Sequence, residues 1–159
     1  MAADDFDAHP LWEFSLAHYR TPGVAAACLR LQDEHGFDVN VALACLWHEG
    51  RGGSPLMAED FAALLEHEAR ARVLAIRPIR RGAKAATGAD ALYRTLKTAE
   101  LQAENLFQRA LYDALVDRGG DEPGTGRASL RAYAEHLGAN VSDSLLDAFM
   151  SEPTKSGPG

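Results

Sequence analysis

Asp33, Glu34, His35, Asp38 and Asn40 form the densest group of side chains in this chain that could do chemistry, and His48 follows one helical stretch later. Carboxylates beside an imidazole can hold a divalent cation or move a proton. The spacing works against a preformed site. Asp33 falls late in one helical pattern, Gly36 interrupts it, and Asp38 opens the next, roles that suit a helix corner and an N-cap. Asn40, in the first turn, is placed to bond back to that corner. His48 and Glu49 could face His67, between Glu66 and Glu68, as an acid–base or two-metal pair. The chain has no Glu-x-x-His, the i, i+3 pair on which di-iron bundle sites depend, and these histidines border faces that the pattern leaves exposed.

Nucleophilic chemistry has no better footing. Ser15 and Ser54 are not in a nucleophile elbow, and Cys28 and Cys45 lack a Cys-x-x-Cys arrangement. The string GTGRAS from Gly124 lacks the lysine and the buried strand of a phosphate loop. Neither a cofactor motif nor a complete metal-ligand set is visible, and the expectation is a protein without cofactor or metal.

The remaining polar feature is a concentration of positive charge. The chain has 159 residues and a net charge of −7. Residues 1–68 hold 3 basic and 12 acidic side chains, whereas residues 69–97 set eight basic residues against Asp90 alone. Within that segment Arg77, Arg80, Arg81 and Lys84 cluster around Pro78 with no acid beside them in sequence. Guanidinium groups can fork onto phosphate or carboxylate, so these four are the candidate contacts for an anionic ligand or a protein partner. The competing reading is that they form internal ion pairs. Nucleic acid is disfavoured as a partner because the molecule as a whole is acidic.

The elements that must position these residues are helical throughout. Pro10 to Tyr19 carries an apolar side of Leu11, Trp12, Phe14, Ser15 and Leu16. Thr21 and Pro22 read as a cap-and-proline start for a helix closed by Gly36, and Asp38 caps a third that ends at Gly50. Ser54 and Pro55 repeat the start signal for a long helix through Phe61, Leu64, Val73 and Ile76, which Pro78 should kink or end. The strongest pattern begins at Asp90 and runs to about Arg118. Two shorter helices follow, one stopped by Gly138 and one capped by Ser142. No segment alternates like a strand. The expected fold is all-α, a compact single-domain bundle of about six to seven helices with a proline-kinked long helix. It occupies residues 10–150, between a flexible N-terminus at 1–9 and a disordered tail at 151–159.

The run FSLAHYRTPGVAAACLRLQDEHGFDVNVAL resembles the signature of a small proteobacterial family of uncharacterised proteins, and the resemblance continues through IRPIRRGAK and LYRTLKTAELQAE over roughly residues 10 to 112. It implies a bacterial, cytoplasmic helical protein and carries over no activity, substrate or catalytic residue. Two cysteines on apolar faces, no secretory pattern and no apolar run of roughly 18 residues fit a reduced cytoplasmic protein with no membrane span. The reading these features favour is a binding or adaptor protein acting through Arg77, Arg80, Arg81 and Lys84 rather than an enzyme. The alternatives are a small helical enzyme or ligand-binding protein using Asp33, His35, Asp38, Asn40 and His48, and a structural subunit of a larger assembly. Partner, ligand and oligomeric state are not legible in the residues.

Overall fold

The computed structural model describes residues 6–120 and 122–152. Among them are eight α-helices and no strand: α1 (Pro10–Tyr19), α2 (Val24–His35), α3 (Val39–Gly50), α4 (Phe61–Leu65), α5 (Glu68–Ala85), α6 (Asp90–Leu115), α7 (Arg127–Leu137) and α8 (Asp143–Phe149), with a short 3-10 turn at Ala58–Asp60. None is long and apolar enough to cross a membrane.

The bundle is organised around α3. Val41 to Leu46 are buried without interruption, and a helix that is apolar on all sides belongs in the centre of a core. It packs against α1, α2, α6 and α7. Asp38 caps it by accepting the Asn40 N–H at 2.9 Å. The same carboxylate accepts Arg70 Nε at 2.8 Å, and the Asp38 backbone N–H donates to the Tyr133 hydroxyl at 2.9 Å, so the cap also ties α5 and α7 to the core. Tyr133 is fully buried and lies with its ring centroid 4.7 Å from Phe37 and 4.8 Å from Phe61.

At its other end α3 anchors the loops. Glu49 accepts the Ser129 N–H in the first turn of α7 at 2.8 Å, acting as a cap supplied from another helix. Gly126 opens α7 at φ 94 and crosses so close to Leu46 that a Cβ there would strike the Leu46 side chain and backbone. Only glycine satisfies both the left-handed backbone and that approach. The chain's two ends are held as well. Asp7 N–H donates to Asn105 Oδ1 at 3.2 Å, and His18 Nε2 donates to the carbonyl of Phe149, at the end of α8, at 2.6 Å. Asp7 and His9 thus bond to Asn105 of α6 and Phe6 stacks on Trp12, while residues 1–5 and 153–159 of the expected mobile ends fall outside the described residues.

Three local expectations are corrected. α2 begins at Val24 behind an N-cap Gly23, so Thr21 and Pro22 form the preceding turn; the Thr21 carbonyl accepts the Val24 N–H at 3.1 Å. Ser54 and Pro55 start no helix, because Ser54 is spent on the 119–120 loop: its N–H and hydroxyl both reach Gly119 O. The long helix expected there is split at Glu66–His67 into α4 and α5, which brings the count to eight. Of the two outcomes expected at Pro78, a kink or an end, the end is excluded: α5 runs seven residues further, to Ala85. The carbonyl that proline leaves unpaired belongs to Leu74, and both residues are exposed, so proline is tolerated here on the outer side of the helix.

Candidate functional site

α5 and α6 pack side by side as the longest antiparallel pair of the bundle, and the acids that the basic segment lacks in sequence come from α6. Arg77 Nε donates to Glu100 Oε1 at 2.8 Å and its Nη2 to Glu104 Oε1 at 3.2 Å, while Arg80 Nε donates to Glu100 Oε2. Glu100 is buried. Arg81 and Lys84 are exposed and make no ion pair among the described residues. The four cations grouped by the sequence are therefore two kinds of residue: one pair built into the α5–α6 seam, the other pointing into water.

The alternative cluster is dispersed. Asp33 is exposed, and His35 lies 3.8 Å from its neighbour Glu34. Asp38 is committed to Arg70, Asn40 and Tyr133, as above. His48 is fully buried rather than on an exposed face, because the 51–54 loop folds over its ring. Its Nε2–H donates to Ser54 O at 2.8 Å, its Nδ1 accepts from Arg51 Nη2 at 3.3 Å, and Gly53 lies against the ring where any Cβ would collide. Burial pushes the His48 imidazole below its ordinary range, which suits this neutral, doubly bonded tautomer. Among the described residues no group of three or more His, Cys, Asp or Glu side chains is placed to hold a metal ion.

What the fold does bring together is a cavity of about 520 Å³ between α1, α2, α3, α5 and α6. Its walls are apolar: Trp12 and Leu16 from α1, Leu29 from α2, Leu43 from α3 and Leu101 from α6. Its floor is a buried polar chain. Ser15 Oγ donates to Gln108 Oε1 at 2.8 Å, and Gln108 Nε2 donates to Asn40 Oδ1 at 2.9 Å. Each of the three is 5% exposed or less. Asn40 Nδ2 donates to no protein group among the described residues. At the rim stand Tyr19, Arg20, Arg77, Lys97 and Glu104. A smaller hollow of about 160 Å³, lined by Arg80, Lys97, Glu100, Leu101 and Glu104, extends it along α6.

The electrostatics of this cavity differ from those of the molecule. Burial pushes the Glu104 carboxyl up to about 7; Arg77 opposes that shift, and the charges of Glu100 and Asp38 add to it. Near neutral pH the acid at the rim is thus only partly charged beside three cations. Burial also pushes the Cys28 thiol up to about 11, so the one cysteine on the cavity wall stays protonated and unreactive. A space of this size with apolar walls and a few convergent polar groups has the make-up of a small-molecule site.

Of the residues singled out from sequence, Asn40 and Arg77 line this cavity and Arg80 lines its extension. Ser15 and Cys28, weighed only as nucleophiles, line it too, whereas Gln108, Glu104 and Lys97 were not singled out. A signal for two of them exists: Ser15 and Gln108 are polar residues at helical spacing on otherwise apolar faces, which marks a buried group needing a partner.

Residues 10–111 match the model of the family described as Protein of unknown function (DUF2390). The chain belongs to that family. No curated protein and no solved structure matches it. Every residue lining the cavity, from Trp12 to Gln108, falls inside the segment shared with DUF2390; α7 and α8 lie beyond it and contribute none.

Proposed function

We propose that this protein binds a small organic molecule in the cavity between α1, α2, α3, α5 and α6. The observation that carries the proposal is the buried Ser15–Gln108–Asn40 chain at the base of an apolar space. A polar network costs stability unless every member is satisfied, and an apolar floor would pack as well without that risk. Here the network ends in the Asn40 amide, whose Nδ2 opens onto the cavity rather than being sealed in the core, where it can donate to a bound molecule. This reading is nearest to the alternative of a small helical enzyme or ligand-binding protein, with the site moved from the Asp33–His48 cluster to a cavity that shares only Asn40 with it.

Incubation with a small-molecule extract, gel filtration and mass spectrometry of what remains bound tests the proposal. One compound should be retained in stoichiometric amount and lost in Leu101→Trp, which fills the cavity from its α6 wall and should keep native helicity. An empty protein after incubation, or equal retention by the filled variant, would contradict it.

A second reading is contact with a protein partner through Arg81 and Lys84. It is favoured by the exposure of Arg81 and Lys84, which lie about one turn apart on α5 and make no ion pair among the described residues. Two exposed cations without intramolecular partners suit an acidic partner surface. Replacing Arg81 and Lys84 together by Glu should leave the fold intact and reduce association with an acidic amphipathic peptide; unchanged association would end this reading.

A further inference from the structure

The charge and donor balance of the cavity points to the class of molecule it would take. Three cations, Arg20, Arg77 and Lys97, line it against one acid, Glu104, in a chain whose net charge is −7. Arg77 is already committed to Glu100 and Glu104. Lys97 and Arg20 make no ion pair among the described residues, and Lys97 is shared by the cavity and its extension. The unpaired charge lining the cavity is therefore positive, that of Arg20 and Lys97 at the rim; the Asn40 amide adds a donor at the floor, beside the Gln32 amide and Tyr19 hydroxyl, which can donate or accept. Positive groups at the mouth of a low-dielectric cleft concentrate anions, and apolar walls select those with an apolar body.

We propose that the cavity takes a small amphipathic anion, an organic carboxylate whose charged end meets Lys97 at the rim and whose apolar body lies against Trp12, Leu43 and Leu101. The proposal rests on the ligand-binding reading above and narrows it. A carboxylate satisfies the donors left open, whereas an ammonium ligand would meet three cations and find only Glu104 to pair with.

Binding should also weaken as pH rises. The groups facing Glu104 are Tyr19 and Arg20 from α1 and its end, Cys28 from α2, Asp38 ahead of α3, Arg77 and Arg80 from α5, and Lys97 and Glu100 on α6. No histidine lines either space. Tyr19 and Cys28 are both pushed up, chiefly by burial, so they stay neutral while Glu104 gains its charge. A newly ionised Glu104 repels a bound carboxylate and competes for the same cations.

The test uses octanoate, 1-octanol and octylamine, which share one apolar body. Trp12 lies on the cavity wall and Trp47 packs elsewhere, tilted against Tyr112, so a Trp47→Phe chain reports on the cavity through Trp12 fluorescence; calorimetry on the unaltered chain gives the same comparison. Octanoate should bind about tenfold tighter than octanol or octylamine at pH 6, less tightly at pH 8, and about tenfold less tightly in Lys97→Met, with octanol unaffected. Equal affinity for octanoate and octanol, preference for octylamine, or an octanoate affinity unmoved by Lys97→Met would overturn the anion assignment while leaving the cavity a binding site. Absence of binding by all three would count against the cavity itself. Glu104→Gln should abolish the pH dependence; if the dependence persists, Glu104 is not its source.

Discussion

At the residue scale, what holds this protein together is a set of polar side chains each doing a backbone group's work. Tyr133 is the sharpest case, because its hydroxyl accepts the Asp38 N–H inside the core. Tyr133→Phe keeps the ring stacked on Phe61 and leaves that N–H without a partner, so urea denaturation should show a loss of about 1 to 3 kcal/mol. Asp38 was readable as a cap from its place before an apolar helical run. Its partners Arg70 and Tyr133 were not, since nothing in local spacing links positions 32 and 95 residues away. The titrating groups act in opposite directions. His9 and His48 are held below the ordinary imidazole range mainly by burial, so their contribution to stability is present above about pH 6.5 and is lost as pH falls. Glu104, with its carboxyl raised to about 7, binds its proton more tightly folded than unfolded. Its protonated form favours the fold, and that contribution disappears as pH rises through about 7. Glu104→Gln should therefore gain stability relative to the parent between pH 5 and pH 8, by roughly 1 to 3 kcal/mol, measured as the difference between two denaturation series.

At the element scale, α5 shows why a run of like charges says little until its neighbour is known. Arg80 and Arg81 are adjacent in sequence, yet Arg80 is pinned to buried Glu100 and Arg81 faces water. Arg80→Glu should cost about 3 kcal/mol by setting a carboxylate against Glu100, whereas Arg81→Glu should stay within about 0.5 kcal/mol. Equal effects in a thermal or denaturant series would mean that the α5–α6 seam is not formed as described. α1, α3, α6, α7 and α8 were legible because in each the helical run of apolar residues and the punctuation around it agree. The 54–68 region was not: a Ser-Pro start signal and helical spacing are both present, but the Ser54 bonds to Gly119 from a distant loop outweigh local propensity.

At the scale of the whole molecule, the part shared with the family and the part that completes the core do not coincide. The match ends at residue 111, while Leu130, Tyr133, Leu145, Leu146 and Phe149 of α7 and α8 are buried at 2% exposure or less. A chain ended at Gly120 should retain helical circular dichroism and lose its cooperative thermal transition, because α2 and α3 would expose the faces these residues cover. The all-helical class could be read from sequence since every long pattern has the same period. The cavity could not, because its lining is spread over five helices and its floor joins Ser15 to Gln108 and Gln108 to Asn40, pairs 93 and 68 residues apart. The claim that this cavity is the functional site is met most directly by amide chemical-shift mapping of the labelled protein during an octanoate titration. Saturable shifts should concentrate on Trp12, Ser15, Asn40, Leu43, Leu101 and Gln108 and leave Arg81 and Lys84 still; shifts scattered over the surface, or centred on Arg81 and Lys84, would contradict it.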